Sequence, residues 1–296
     1  MKITVMFAAF LLTTAPLRAA ETASFLNVGL GARYLGMGGA GTALADDPNS
    51  LYWNAAGLAR MAQREVTASD LELQQGTRLD FAAYAQPTSF GVLALSGTYL
   101  SQDAIEGRDS LGHPTGSFTA SDSAMSAGYG RKLDHIDLGA DVKLIQSHIA
   151  SAQATTFAVD FGARRQFGPV VLGAALRNLG PGMKFDAQRN DLPIRLAFAG
   201  AYKFAGRHAL TAELTNAPRA GGTDVGFGGE FQAVKNVFLR GGYTTQTAIT
   251  GGTGFDAARG LTLGLGLRNG HWSLDYAAVP MGVLGSTHRF TFGARF

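Results

Sequence analysis

The sequence predicts an all-β transmembrane antiparallel β-barrel of about fourteen strands, with an N-terminal segment folded into its lumen. Three observations predict it. From about Arg64 to the end, apolar residues alternate with small or charged ones at period two, the periodicity of a strand. The connections between these runs tend to alternate between tight and long. The apolar face carries almost no charge on the clear strands, while the opposite face carries both signs.

The first twenty residues bear on the compartment. Lys2 gives a basic start, and Ile3 to Leu12, "ITVMFAAFLL", is an apolar run of ten residues. Pro16 breaks it, and Ala19 and Ala20 supply small residues. This is the layout of a secretory signal peptide, with cleavage expected after Ala19 or Ala20. The run is too short to span a bilayer. Its loss removes Lys2 and Arg18 from 25 basic residues, leaving 23 against 22 acidic ones. No basic cluster accompanies this near-balance, so no nucleic-acid partner is expected. The absence of cysteine excludes a disulfide scaffold, a thiolate metal site and a Cys nucleophile. No later apolar run reaches 18 residues, which excludes a transmembrane helix. An exported chain with 40 glycines and 16% charged residues is then a soluble periplasmic β protein or an outer-membrane barrel.

The expected strands are 64–73, 79–86, 91–100, 117–130, 136–147, 152–167 and 170–179, then 193–204, 208–216, 223–231, 237–244, 261–268, 271–278 and 286–296. The first and fourth alternate poorly. In the eighth, Ile194, Leu196, Phe198, Tyr202 and Phe204 oppose Arg195, Ala197, Ala199, Ala201 and Lys203. Asn269-Gly270 is a two-residue hairpin signal, whereas 101–116, 180–192 and 245–260 are long. A transmembrane barrel sorts its turns this way, with short periplasmic turns and longer outer loops. A sandwich would bury its apolar face and expose the polar one. A barrel in lipid inverts this, placing charges such as Asp137, Asp141, Lys143, Asp160, Arg240 and Arg289 inside, where both signs can pair across strands. The final strand carries Phe290, Phe292 and Phe296 on one face, which resembles the C-terminal signal read by the barrel assembly machinery.

Before the first strand lies "LGMGGAGTALADDPNSLYWNAAG", Leu35 to Gly57. Gly36, Gly38 and Gly41 spell G-x-G-x-x-G. A dinucleotide site needs a preceding strand, a long following helix and a βαβ unit. None is present, and no cofactor is expected. The steric reading fits better: glycine lets backbone approach backbone and adopt positive φ, as a segment threading a barrel must. Asp47 reads as an N-cap and Pro48 as the first helical position, with two turns over Leu51 to Ala56 closed by Gly57. The expected organisation is a signal peptide at 1–20, a plug at 21–63 and a barrel at 64–296. The plug residues singled out are Gly36, Gly38, Gly39, Gly41, Asp46, Asp47, Trp53, Asn54 and Gly57.

Gly31 to Arg60, "GARYLGMGGAGTALADDPNSLYWNAAGLAR", resembles the N-terminal signature of the PorV/PorQ family of outer-membrane proteins, related in fold to FadL-like transporters. That family usually reads Asn-Pro-Ala-Gly where this chain has Asn54, Ala55, Ala56 and Gly57. The resemblance implies a fourteen-stranded barrel with a lumenal N-terminal segment. It implies two functions: FadL-like binding or passage of hydrophobic small molecules, or docking of exported proteins in type IX-like secretion. The expected surroundings are outer-membrane lipid and the barrel assembly machinery.

Enzyme chemistry is not expected. His113, His135, His148, His208, His271 and His288 share no metal-ligand spacing, and there is no G-x-S-x-G elbow. Asp46 and Asp47 read as a turn and cap before Pro48 rather than a cation site. Trp53 and Tyr52 read as lumenal packing residues. Tyr202, Phe204, Trp272 and Tyr276 read as lipid-facing or interfacial aromatics.

Overall fold

The computed structural model describes residues 21–73, 76–185, 188–246, 260–280 and 286–296. The expected signal peptide at 1–20 lies outside the described residues. Strands in the first half are β1 (Glu65–Glu72), β2 (Thr77–Thr88), β3 (Gly91–Gln102), β4 (Ile105–Arg108), β5 (Pro114–Phe118), β6 (Ala120–Leu133), β7 (Ile136–Ile149), β8 (Ala152–Phe167) and β9 (Val170–Leu179). Those in the second half are β10 (Met183–Phe185), β11 (Gln188–Asn190), β12 (Arg195–Phe204), β13 (His208–Asn216), β14 (Thr223–Val234), β15 (Val237–Thr244), β16 (Leu261–Arg268), β17 (Trp272–Pro280) and β18 (Ser286–Arg295).

Fourteen of these close into one antiparallel barrel, in the order β1-β18-β17-β16-β15-β14-β13-β12-β9-β8-β7-β6-β3-β2. They are the fourteen runs read from the sequence, with ends moved by a few residues. The pairs β4–β5 and β10–β11 are separate hairpins inside connections read as loops. They are short and lack a clear alternation, so period two could not reveal them. Closure joins β1 to β18 in the register Glu65↔Arg295 to Leu71↔Arg289, with Arg295 Nε 2.9 Å from Glu65 Oε2 across the seam. At one end of the barrel every turn is tight: 89–90, 134–135, 168–169, 205–207, 235–236 and 269–271. The longer connections gather at the other end, where 150–151 is the exception. By the membrane-barrel asymmetry the tight-turn end is periplasmic.

The two faces divide as the pattern predicts. Phe198, Leu263, Phe290 and Phe292 are exposed, as are Phe296 and Trp272. Asp137, Asp141, Lys143, Asp160, Glu213, Glu230, Arg240 and Asp275 are buried on the inner side. The weak alternation of the first run, and the reversal of the pattern in the second, have a local cause. Toward the long-loop end Leu71, Leu79 and Phe81 turn inward and pack with Ala124 and Ile145. Arg78, 60% exposed in its side chain, lies outside and pairs with Asp70 and Asp80. Apolar-in and charged-out is a soluble pattern, so these stretches stand beyond the lipid-facing belt.

The N-terminal segment runs along the inner wall. Glu21 bridges Asp191 and receives both Nη atoms of Arg195 at 2.8 Å, at the long-loop end. A 3₁₀ turn, Ser24–Asn27, follows, then the one-turn helices α1 (Ala32–Leu35) and α2 (Ser50–Trp53), then a 3₁₀ stretch, Ala55–Arg60. Ala32 N donates to Thr291 on β18, Gly38 N to Thr262 on β16 and Thr42 N to Glu213 on β13. Ala55–Arg60 then packs on β6, β7 and β8 near the tight-turn end.

Three sequence expectations need correction. Asp47 is not the helix N-cap. Its Oδ1 accepts from Asn49 N and Asn49 Nδ2, a local turn, and the residue before α2 is Asn49. The expected two turns over 51–56 are one α turn interrupted at Asn54, whose φ of −168° is extended. Gly57 does not end that helix, because it lies inside the 3₁₀ stretch. A Cβ there would run into Ala45 O and lie 2.6 Å from Ser50 Oγ, so close packing rather than handedness selects glycine.

The faces give a stability test. Leu265 points to lipid, while Gly264 faces Gly36 within the lumen, where a Cβ would lie 3.2 Å from Gly36 Cα. Leu265→Arg is expected to cost roughly 2–4 kcal/mol near the midplane, read by denaturant refolding into vesicles. A neutral Leu265→Arg would invert the assignment. The lumen at Gly264 holds the N-terminal segment, so Gly264→Ser is also expected to destabilise.

Candidate functional site

The lumen is organised by contacts between the N-terminal segment and glycines of the wall. Gly38 has φ +70°, a left-handed conformation that favours glycine. A Cβ there would lie 2.6 Å from Phe227 O and would also strike Tyr243 O. The wall residues opposite are glycines too. A Cβ at Gly228 would lie 2.6 Å from Met37 O, one at Gly226 would strike Gly38 O, and one at Gly242 would strike Gly38 N. A second patch faces it from β6–β8. There Gly130, Gly139 and Gly162 make room for Leu58, Ala55 and Asn54. Strands β6–β8 and β14–β16 lie nearly half the barrel's circumference apart in strand order. The segment therefore reaches from one wall to the other.

The remaining singled-out residues serve this packing. Gly41 lies flat against the Trp53 ring, where a Cβ would sit 2.8 Å from Cγ. Gly39, φ +72°, lies beside the same ring. Trp53 Nε1 donates to Leu30 O at 2.8 Å, which satisfies a buried indole N–H. Asn54 links three backbone segments: its Nδ2 donates to Thr42 O at 2.9 Å and to Ala163 O at 3.2 Å, and its Oδ1 accepts from Ala56 N.

Charge fixes the lower half. Arg33, 8% exposed, grips Glu230 through Nε and Nη2, both at 3.0 Å, and reaches Asp46 through Nη1 at 2.6 Å. Arg240 Nε approaches Glu230 at 2.7 Å and Arg240 Nη1 lies 2.7 Å from Asp275. The chain Asp46–Arg33–Glu230–Arg240–Asp275 thus links the segment to β14, β15 and β17. Nearby, Arg60 pairs with Asp137, and Arg164 Nε donates to Ala43 O at 2.9 Å. Breaking one member of such a buried network leaves an uncompensated charge. For Asp46, burial pushes the carboxyl up, but the Arg33 guanidinium outweighs it and holds it at about 2. A depressed carboxylate contributes stability above its unfolded pKa, lost only as pH falls through the folded value. The Arg33–Asp46 clasp is therefore intact at neutral pH. Burial raises Asp47.

Above this clasp, toward the long-loop end, the segment and wall enclose a cavity of about 290 Å³. Leu26, Val28, Leu35, Tyr52 and Trp53 form the segment's side. The wall contributes Arg177, Arg195, Glu213, Asp224, Thr262 and Arg289. Arg177 stacks over Tyr52 and Trp53, 5.4 and 5.8 Å from the ring centroids. Arg289 Nη1 donates to Gly29 O at 2.8 Å.

The sequence pointed to the glycines, Trp53 and inner-face charges such as Arg240, but not to Arg33 and Arg177. Arg33 precedes the glycine run and has no periodicity of its own. Arg177 continues the inward alternation of Val171, Gly173 and Ala175; the bulge comes after it, where register slips between Val159 and Phe161 and Asn178, with φ 61°, is the extra residue and turns inward as well. The phenylalanines expected as an assembly signal, Phe290, Phe292 and Phe296, lie exposed on the outer face.

No protein-family model matches the chain, and no curated protein matches it. Solved structures do. The Ralstonia pickettii toluene transporter TbuX superposes with a TM-score of 0.61 at 15% identity, over 90% of this chain and 98% of that one. The monoaromatic hydrocarbon channel CymD gives 0.61 at 11%, over 94% and 99%. A Pseudomonas aeruginosa FadL homologue gives 0.56 at 14%, over 95% and 98%. At these identities the likeness is one of fold: the chain has the architecture of FadL-like outer-membrane barrels.

The glycine patch makes a prediction. Gly242→Val is expected to push Gly38 off the wall while leaving the outer face intact. The variant should run differently boiled and unboiled on a gel, as expected of a folded barrel, and show raised ion conductance in planar bilayers. Unchanged conductance in a folded Gly242→Val barrel would show that the contact does not hold the segment.

Proposed function

We propose that the chain is a non-enzymatic outer-membrane barrel through which small hydrophobic molecules pass, with residues 21–63 as its plug. The observation that carries this reading is the cavity at the long-loop end, apolar on the segment's side and closed below by the Gly36–Gly39 contacts. Ligand sites are commonly concave, mostly apolar and largely pre-formed, with a few fixed polar groups. A volume of about 290 Å³ fits a small hydrophobic molecule rather than a folded protein. The shared fold supports the reading, because the structures it resembles are described as a toluene transporter and a monoaromatic hydrocarbon channel.

In this reading the ligand enters from outside the cell, rests against Trp53 and Tyr52, and proceeds only when the segment shifts. The barrel's chemistry is binding and release. Signal-peptide cleavage near Ala20 and assembly guided by Phe290, Phe292 and Phe296 belong to the same proposal. A PorV/PorQ-type role, docking exported proteins, rests on the Gly31–Arg60 signature alone.

The test is transport by purified protein in liposomes. Wild-type protein should admit toluene faster than empty liposomes do and conduct few ions. Deleting 31–57 should give an assembled barrel that conducts ions freely. Trp53→Ala should change toluene uptake without opening an ion path of that size. Equal ion conductance with and without 31–57 would remove the plug, and toluene entry no faster than in empty liposomes would remove the transport reading.

A further inference from the structure

The outer surface carries a second concavity. On the outer face of β6–β9 and β12 a furrow of about 720 Å³ runs over Ala140, Ala163 and Ala174, between walls that include Phe161, Leu176 and Phe198. The register explains the dent. Ala163 lies opposite Ala174 on β9, so two small side chains meet across adjacent strands, while Leu138 lies opposite Ala163 on β7 at the furrow's margin. Inside, at the same place, Gly139 and Gly162 face residues 54–56, so the wall here is little more than backbone.

The furrow's periplasmic end is basic. Arg131 lines it and lies opposite Leu138, while Arg165 lies opposite Ile136. Both arginines are exposed on the outer face, and Arg165 sits 4.5 Å over the Phe167 ring. Among the described residues neither has an acidic partner. The neighbouring Asp137 points inward, to Arg60 and Arg164. The bias extends around the tight-turn rim: among the described residues Arg64, Arg131, Lys132, Arg165, Arg207 and Lys235 are exposed there, against one exposed acid, Asp134.

We propose that this furrow is a binding site for an anionic phospholipid of the periplasmic leaflet. One acyl chain lies over Ala140, Ala163 and Ala174, and the phosphate sits between Arg131 and Arg165. Charge complementarity selects the occupant. Basic residues at a membrane surface attract anionic headgroups, and long side chains with aromatic neighbours hold them at headgroup depth. A zwitterionic lipid offers the same phosphate, but its headgroup ammonium lies close to the arginines and repels them, so the net charge favours the anionic lipid. The alanine floor gives the acyl chain a depth that ordinary lipid-facing leucines would fill.

The experiment is native mass spectrometry of the detergent-solubilised barrel, mixed with equal amounts of phosphatidylglycerol and phosphatidylcholine of identical acyl chains. Wild-type protein should retain phosphatidylglycerol several-fold over phosphatidylcholine. Arg131→Gln with Arg165→Gln should bring the two lipids level, while Arg207→Gln elsewhere on the rim should leave the preference intact. Ala163→Leu with Ala174→Leu should reduce adducts of both lipids while the gel shift shows a folded barrel. Equal retention by wild type would overturn the proposal. So would a preference that survives the Arg131/Arg165 double variant, or one that Arg207→Gln removes as completely, which would assign it to diffuse rim charge.

Discussion

The structure depends on how closely backbone can approach backbone inside the barrel. A strand wall with ordinary side chains holds a second layer of chain several ångströms off. Here the wall drops its side chains where the N-terminal segment touches it, at Gly226, Gly228 and Gly242 on one side and Gly130, Gly139 and Gly162 on the other. The segment answers with Gly36 and Gly38. Glycine in strands usually weakens them, and a cluster marks a close approach. The chain accepts that cost at two patches, and the lumen is filled there.

Polar groups complete what the glycines permit. The segment has little regular structure, so its backbone groups need partners from the wall, and Thr262, Thr291, Glu213, Thr211 and Arg164 provide them. The buried ion chain through Arg33 and Glu230 adds specificity of position, since a shift of one residue would leave charges unpaired in the lumen. One end of the lumen is thus tightly packed and the other is left with a cavity. That asymmetry is the basis for reading the segment as a plug and the cavity as a waiting site.

Much of the architecture was legible because period two is unambiguous when one face meets lipid. Leu196 to Phe204 could be sorted residue by residue, whereas Ile194, just before β12, is buried rather than on the apolar outer face. Legibility failed where the environment changed. Beyond the lipid belt, β1 and β2 place Leu79 and Phe81 inside and Arg78 outside, which reverses the membrane pattern. In the segment, local rules were outvoted by packing. Asp47 before Pro48 has the composition of a cap, yet its carboxylate turns to Asn49. Gly57 looks like a helix end, yet it is glycine because Ala45 and Ser50 crowd it. Arg177 follows the inward alternation of Val171, Gly173 and Ala175 and was legible in principle, whereas Asn178 turns inward only through a bulge that alternation cannot anticipate.

The central claim is that the segment lies in the lumen and must move for passage. Thr211 Oγ1 donates to Ala40 O at 3.0 Å, which brings β13 against the glycine stretch. The protein has no native cysteine to confuse a cross-link. The most direct measurement is toluene uptake by liposomes holding the Ala40→Cys/Thr211→Cys double variant, oxidised and then reduced. The account predicts that the pair oxidises in the folded barrel, that uptake falls on oxidation, and that reduction restores it. A pair that never oxidises, or uptake that ignores the cross-link, would contradict it.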